Sequence, residues 1–165
     1  MKNYLIDGYN LGHKIPEVVR LLQKKDFYAA IERIIHIVQM RINIRRNRVI
    51  LVFDGKKGIF DYPRSASTVE VLFSRKPQEA DDIIREILRK QTDTSHWTVI
   101  SSDNEILKTA RDLGANFIRS EAFYASSKTS GQQDLPKESK QKYNPDNVDV
   151  NYWMKLFGND KNEDN

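Results

Sequence analysis

The sequence predicts an α/β fold: a three-layer α/β/α sandwich around a central, mostly parallel sheet. Three observations point there. Short apolar runs at Tyr4–Ile6, Val49–Phe53 and Trp97–Ile100 recur with helical stretches between them. The Val49–Phe53 run is continuously apolar rather than alternating, as a strand covered on both faces requires. Each run then leads into an acid: Asp7, Asp54 and, after Ser101-Ser102, Asp103.

Taken in order, Tyr4-Leu5-Ile6 reads as a buried strand ending in a tight loop at Asp7-Gly8. Pro16 suits the first turn of a helix through Glu17–Lys24. Asp26 is placed to cap a longer helix over Phe27–Ile44, whose Ala30, Ile31, Ile34, Ile35, Val38 and Ile42 fall at helical spacing. Arg45, Arg46 and Arg48 follow, cations that complement a helix C-terminus. Val49–Phe53 is the second strand, and Thr68–Phe73 alternates like an edge strand. Pro77 opens a helix through Gln78–Lys90. Trp97–Ile100 is a strand, Asn104–Leu113 a helix closed by Gly114, Asn116–Ile118 the last strand, and Ser120 the cap of a short helix at Glu121–Ala125.

The chain has 165 residues, the length of one domain with a tail. The division expected is a domain over 1–125 and a polar tail over 126–165, where Tyr152, Trp153, Leu156 and Phe157 suggest a docking helix at 148–157. There is no cysteine, which excludes disulfide scaffolds, zinc–thiolate sites, iron–sulfur clusters and thiol catalysis. No apolar run approaches about 18 residues, as a membrane span needs, and the N-terminus meets an Asp too early for a signal-peptide core. A cytoplasmic location is expected. The net charge of +4 suits a polyanionic partner without identifying one.

In an open parallel sheet the carboxyl ends of the strands share one edge, and ligands bind in the crevice there. Asp7, Asp54 and Asp103 are thereby expected at one edge, with Glu79-Ala80-Asp81-Asp82 as a further source at a helix start. Ala80, Ile83, Ile84, Ile87 and Leu88 form that helix's apolar stripe. Asp81 falls at the stripe's boundary and Asp82 almost opposite it, which favours Asp81 as a ligand and Asp82 in a supporting or substrate-facing place. Gathered carboxylates stay ionised only beside a cation, and oxygen donors select Mg²⁺ or Mn²⁺. Each Asp also has a structural role open to it: Asp-Gly is turn chemistry, and Asp103 can cap its helix.

Asp7-Gly8-Tyr9-Asn10-Leu11 after a first strand resembles the opening motif of NYN domains, a branch of the PIN-like nuclease superfamily. Val52-Phe53-Asp54-Gly55, Glu79–Ile84, Val99–Asp103 and Gly114-Ala115 follow in order, and together they resemble the bacterial YacP-like subfamily over about Met1–Ala125. The resemblance implies a PIN-like fold and a metal-dependent endoribonuclease using Mg²⁺ or Mn²⁺. Asp7, Asp81 and Asp103 match the acidic metal ligands, and Asn10 matches the polar residue that holds the first loop or the substrate. Asp54 and Asp82 match supporting positions. Some PIN-type sites carry a further acid shortly after the fourth-strand Asp; here Asn104, a poor ligand given a supporting place, and Glu105 follow. The subfamily further suggests mRNA cleavage on the translating ribosome.

Single-stranded RNA would be held by cations flanking the same edge: Lys14, Lys56, Lys57, Arg64, Arg75 and Lys76. Phe60 and Tyr62 can stack unpaired bases; the alternative is that these rings tuck onto the core. His13 lies near the first loop, while His36 and His96 read as structural or solvent-facing. Competing readings are a non-catalytic RNA- or ribosome-binding module and a toxin-like nuclease cutting tRNA or rRNA. A haloacid-dehalogenase-type phosphotransferase would need an Asp where Tyr9 stands, no P-loop motif is present, and the Gly8/Gly12 spacing does not fit a Rossmann fingerprint.

Overall fold

In the computed structural model of the protein, which describes residues 1–55, 62 and 69–126, five strands form one sheet in the order β3-β2-β1-β4-β5. They are β1 (Asn3–Asp7), β2 (Arg48–Phe53), β3 (Glu70–Phe73), β4 (Trp97–Ile100) and β5 (Asn116–Ile118). Every pairing among them is parallel. The helices are α1 (Gly8–Gly12), α2 (Pro16–Gln23), α3 (Phe27–Arg41), α4 (Ala80–Arg89), α5 (Asn104–Asp112) and α6 (Ser120–Ala125).

The pleat sends alternate side chains to opposite faces. Tyr4, Ile6, Val49, Leu51 and Phe53 pack with residues of α1, α2, α3 and α6. Leu5, Ile50, Val52 and Val99 pack with Ala80, Ile84 and Leu88 of α4 and with Ile106 and Ala110 of α5. This double covering is why the interior strands read as unbroken apolar runs, and it makes the three layers.

Most elements fall where the sequence places them, with four differences. The segment after Asp7 is a short helix, α1, rather than a loop. Helix α3 stops at Arg41 because Ile42 turns to extended backbone (φ −118°, ψ 131°) and is buried by that turn. Helix α4 starts at Ala80 rather than Gln78: Pro77 lies in a preceding turn, and Glu79 is the N-cap, its amide donating to Asp82 Oδ2 at 2.9 Å. Ser120 lies inside α6, whose N-cap is Arg119. The expected edge strand is β3 at the sheet's margin, and Gly114, at φ +83°, closes α5 as the left-handed position requires. The tail at 126–165, with its expected helix at 148–157, lies outside the described residues beyond Ser126. No helix among the described residues is long and apolar enough to cross a membrane.

Candidate active site

The chain leaves β1 for β2 on one side, while β4 lies on β1's other side, so the strand order reverses between β1 and β4. In sheets of this kind the crevice beyond the carboxyl ends at that reversal is where ligands bind. Asp7 ends β1 there, and Ser101-Ser102-Asp103 follow β4.

Ser101 joins the two acids. Its fully buried hydroxyl donates to Asp7 Oδ2 at 3.3 Å and accepts the Asp103 backbone N–H at 3.1 Å. Asp103 caps α5, its Oδ1 accepting from the amides of Glu105 (2.9 Å) and Ile106 (3.3 Å). The Asp7 carboxyl is pushed up to about 6, chiefly by burial. The Ser101 hydroxyl and the Asn10 backbone amide oppose that shift, while the fields of Asp54 and Asp103 add to it.

Asn10 locks the site's walls together. Its Oδ1 accepts from the Ser102 backbone N–H at 2.8 Å and from the Ser120 hydroxyl at 2.7 Å, tying α1 to the β4–α5 connection and to α6. Ser102 donates onward to Glu121 Oε2 and accepts the Ser120 N–H at 3.1 Å. Burial raises the Glu121 carboxyl, but the Ser102 hydroxyl, its own backbone amide, Lys14 and Arg119 outweigh it and hold the group below its usual value.

Asp54 anchors α4: its Oδ1 accepts the Ala80 N–H at 2.7 Å and faces the Ser74 hydroxyl at 3.4 Å. This fixes the turn that carries Asp81. Asp81 is half-buried at the helix boundary, as the stripe predicts, and it faces Arg85, whose Nη2 lies 3.4 Å from Asp81 Oδ2. Asp82 is exposed and spent on the Glu79 amide. Asn104 Oδ1 accepts from Arg119 Nη2 at 2.9 Å, so it braces the end of β5 to the start of α5.

Three carboxylates were expected to converge as ligands, and the structure brings only part of that set together. Among the described residues, no three acidic or histidine side chains are gathered to enclose a metal ion. The reason is local: Asp81 is drawn to Arg85, and Asp103 and Asp54 each give an oxygen to helix amides. The donor chemistry itself fits Mg²⁺ or Mn²⁺. Such ions commonly take one or two carboxylates and complete their shell with water and phosphate oxygens, a pattern the Asp7–Asp103 pair meets.

Among the expected RNA contacts, Lys14, Arg75 and Lys76 are exposed, beside the ends of α1 and β3. Tyr62 is a correction. It is 5% exposed, donates its hydroxyl to Glu32 Oε1, and packs its ring 5.5 Å from Tyr28 and 6.2 Å from Phe73. A ring seated in the core cannot receive a base, so Tyr62 takes the structural alternative. Lys56, Lys57, Phe60 and Arg64 lie outside the described residues. Ser101, Ser102, Ser120, Glu121, Arg85 and Arg119 escaped sequence reading. Only Arg85 carried a usable signal, its i,i+4 spacing from Asp81.

The model of the YacP-like NYN domain matches residues 4–155. The chain belongs to this family. The match continues past the point where the composition turns polar. A crystal structure of Rae1 (YacP) from Bacillus subtilis is similar at TM-score 0.60 and 26% identity, over 73% of this chain and 70% of that one. A tryptophan-to-leucine variant of the same protein gives TM-score 0.59 at 24% identity, over 74% and 72% of the respective chains. A comparison with curated proteins finds no match. The YacP-like NYN assignment makes this a nuclease-like domain of PIN-like α/β fold, with its acids at the edge where that architecture binds ligands.

Proposed function

We propose that the protein is a metal-dependent endoribonuclease that hydrolyses phosphodiester bonds of single-stranded RNA, with mRNA on the translating ribosome as its substrate. One observation carries the reading: Asp7 and Asp103, joined through the buried Ser101 hydroxyl, flank the strand-order reversal of a parallel sheet in a nuclease-like family. Asp7 and Asp103, with Asp81 at the start of α4, are the residues to hold Mg²⁺ or Mn²⁺. When bound, such an ion supplies an acidified water and stabilises charge on the departing oxygen.

The chain's own residues do the rest. Ser101 orients Asp7 Oδ2, and the Asn10 clamp keeps the β1 and β4 ends in register with α6. Asp103 commits Oδ1 to α5 and has Oδ2 to offer. Asp54 sets the start of α4 and with it the distance of Asp81 from the edge. Lys14, Arg75 and Lys76, with Lys56, Lys57 and Arg64 of the β2–β3 connection, contact phosphates, and Phe60 stacks bases.

The test is cleavage of an mRNA by the full chain, naked and under translation, in Mg²⁺ or Mn²⁺ against EDTA. Cuts that need the ion and vanish in Asp7→Asn and Asp81→Asn are expected, with the translating sample cut preferentially. RNA or ribosome binding without cleavage in any condition would replace this reading with the non-catalytic binding module. Cuts confined to tRNA or rRNA would make it a toxin-like nuclease.

A further inference from the structure

Arg85 lies one turn along α4 from Asp81, with its side chain only 20% exposed. Its Nη2 stands 3.4 Å from Asp81 Oδ2 and 3.1 Å from Glu105 Oε2. Glu105 is in the first turn of α5, two residues after Asp103. One guanidinium thus bridges the starts of the two helices that carry Asp81 and Asp103. A guanidinium presents its N–H groups in a planar fork, and here one nitrogen of it, Nη2, donates to Glu105 and lies within ion-pair distance of Asp81. Asp81 thus already has a cation, and among the described residues no three acids are gathered around a metal position.

We propose that Arg85 is the resident counter-cation of the acidic edge, competing with a divalent ion for Asp81. Filling the site draws Asp81 from the guanidinium to the ion. Glu105 then retains Arg85, so that the guanidinium, 20% exposed, keeps an acid partner. Arg85 is in this sense a positioning residue that sets how tightly the edge binds metal. The inference rests on the metal-dependent reading above.

Mn²⁺ binding to the full chain, by calorimetry without RNA, tests it independently of cleavage. Arg85→Gln is expected to bind Mn²⁺ about fivefold more tightly, the worth of a partly exposed ion pair. Arg89→Gln removes an exposed positive charge one turn further along α4 without touching Asp81; it is expected to change affinity less than about twofold. Arg85→Lys keeps the charge without the fork and is expected to fall between wild type and Arg85→Gln, which covers the case of an Arg85→Gln chain that does not fold. Equal or weaker binding by folded Arg85→Gln overturns the proposal, as does an equal gain in Arg89→Gln, which would reduce Arg85 to a through-space charge. A wild-type chain that binds no Mn²⁺ would overturn the metal reading and this inference with it. Wild-type binding unaltered by Arg85→Gln and Arg85→Lys would overturn this inference alone.

Discussion

Asp7 is a carboxylate whose charge is poorly solvated where it stands. Its value in the fold, about 6, lies above the 3.8 of a free carboxyl. The native state therefore holds the proton more tightly than the unfolded chain. Ionising Asp7 costs stability above pH ~6, and the cost fades as pH falls through the folded value toward the unfolded one. At pH ~7.5 the difference amounts to roughly 3 kcal/mol at most. Asp7→Asn is expected to raise stability toward that limit in urea melts at neutral pH without added metal. The gap should close as pH falls toward ~4; a gap unchanged between the two pH values would contradict it. Asn10→Ala acts in the opposite direction. It strips the acceptor from the Ser102 amide and the Ser120 hydroxyl, and a loss of about 1–3 kcal/mol in the same melts is expected. Asn10 stood out in the sequence through a motif. Its partners did not, since a Ser after a strand and a Ser after the next one look like any turn serine. Only the fold brings Ser120 to Asn10.

Among elements, the strands were the most legible, because burial on both faces writes itself as an unbroken apolar run. Trp97–Ile100 and Asn116–Ile118 match residue for residue. Helix α1 was not legible. Five residues with glycine at both ends carry neither a helical period nor favourable propensity, so the segment read as a loop. The helix exists because β1 delivers it onto Phe53. A Cβ on Gly8 would lie 2.5–2.6 Å from two carbons of that ring and closer still to a third. Gly8→Ala is accordingly expected to cost at least about 1–3 kcal/mol by overpacking, with part recovered in Gly8→Ala/Phe53→Leu; thermal melts of both decide it. Helix α6 is held at its other end by Arg41, whose guanidinium donates to the carbonyls of Phe123 (3.2 Å) and Tyr124 (2.7 Å). That bond spans α3 and α6, and no local pattern announces it. The start of α4 was misread because Pro77 is a common helix opener, whereas the Asp54 and Asp82 contacts to the backbone set the first turn at Ala80.

Across the whole molecule, the parallel sheet separates two kinds of surface. The acids lie at the carboxyl edge, while the exposed Arg45 and Arg46 precede β2 at the amino edge. Arg45→Ser/Arg46→Ser is therefore expected to leave cleavage of naked RNA within about twofold of wild type, because phosphate contacts act within about a Debye length. A large loss in a cleavage assay would mean that RNA wraps round the sheet. The Asn10 clamp has a consequence in time as well as in space. Its two bonds close over 92 and 110 residues of chain. The central strand β1 is made first yet cannot pair with β4 until residues 97–100 have been made. β2 is available to β1 once residue 53 is made, but Asp7 waits for Ser101 and β1 keeps one edge open until β4 follows. The constellation closes only when Ser120 arrives, so residues 1–119 must all emerge before the bond that ties α1 to α6 can form.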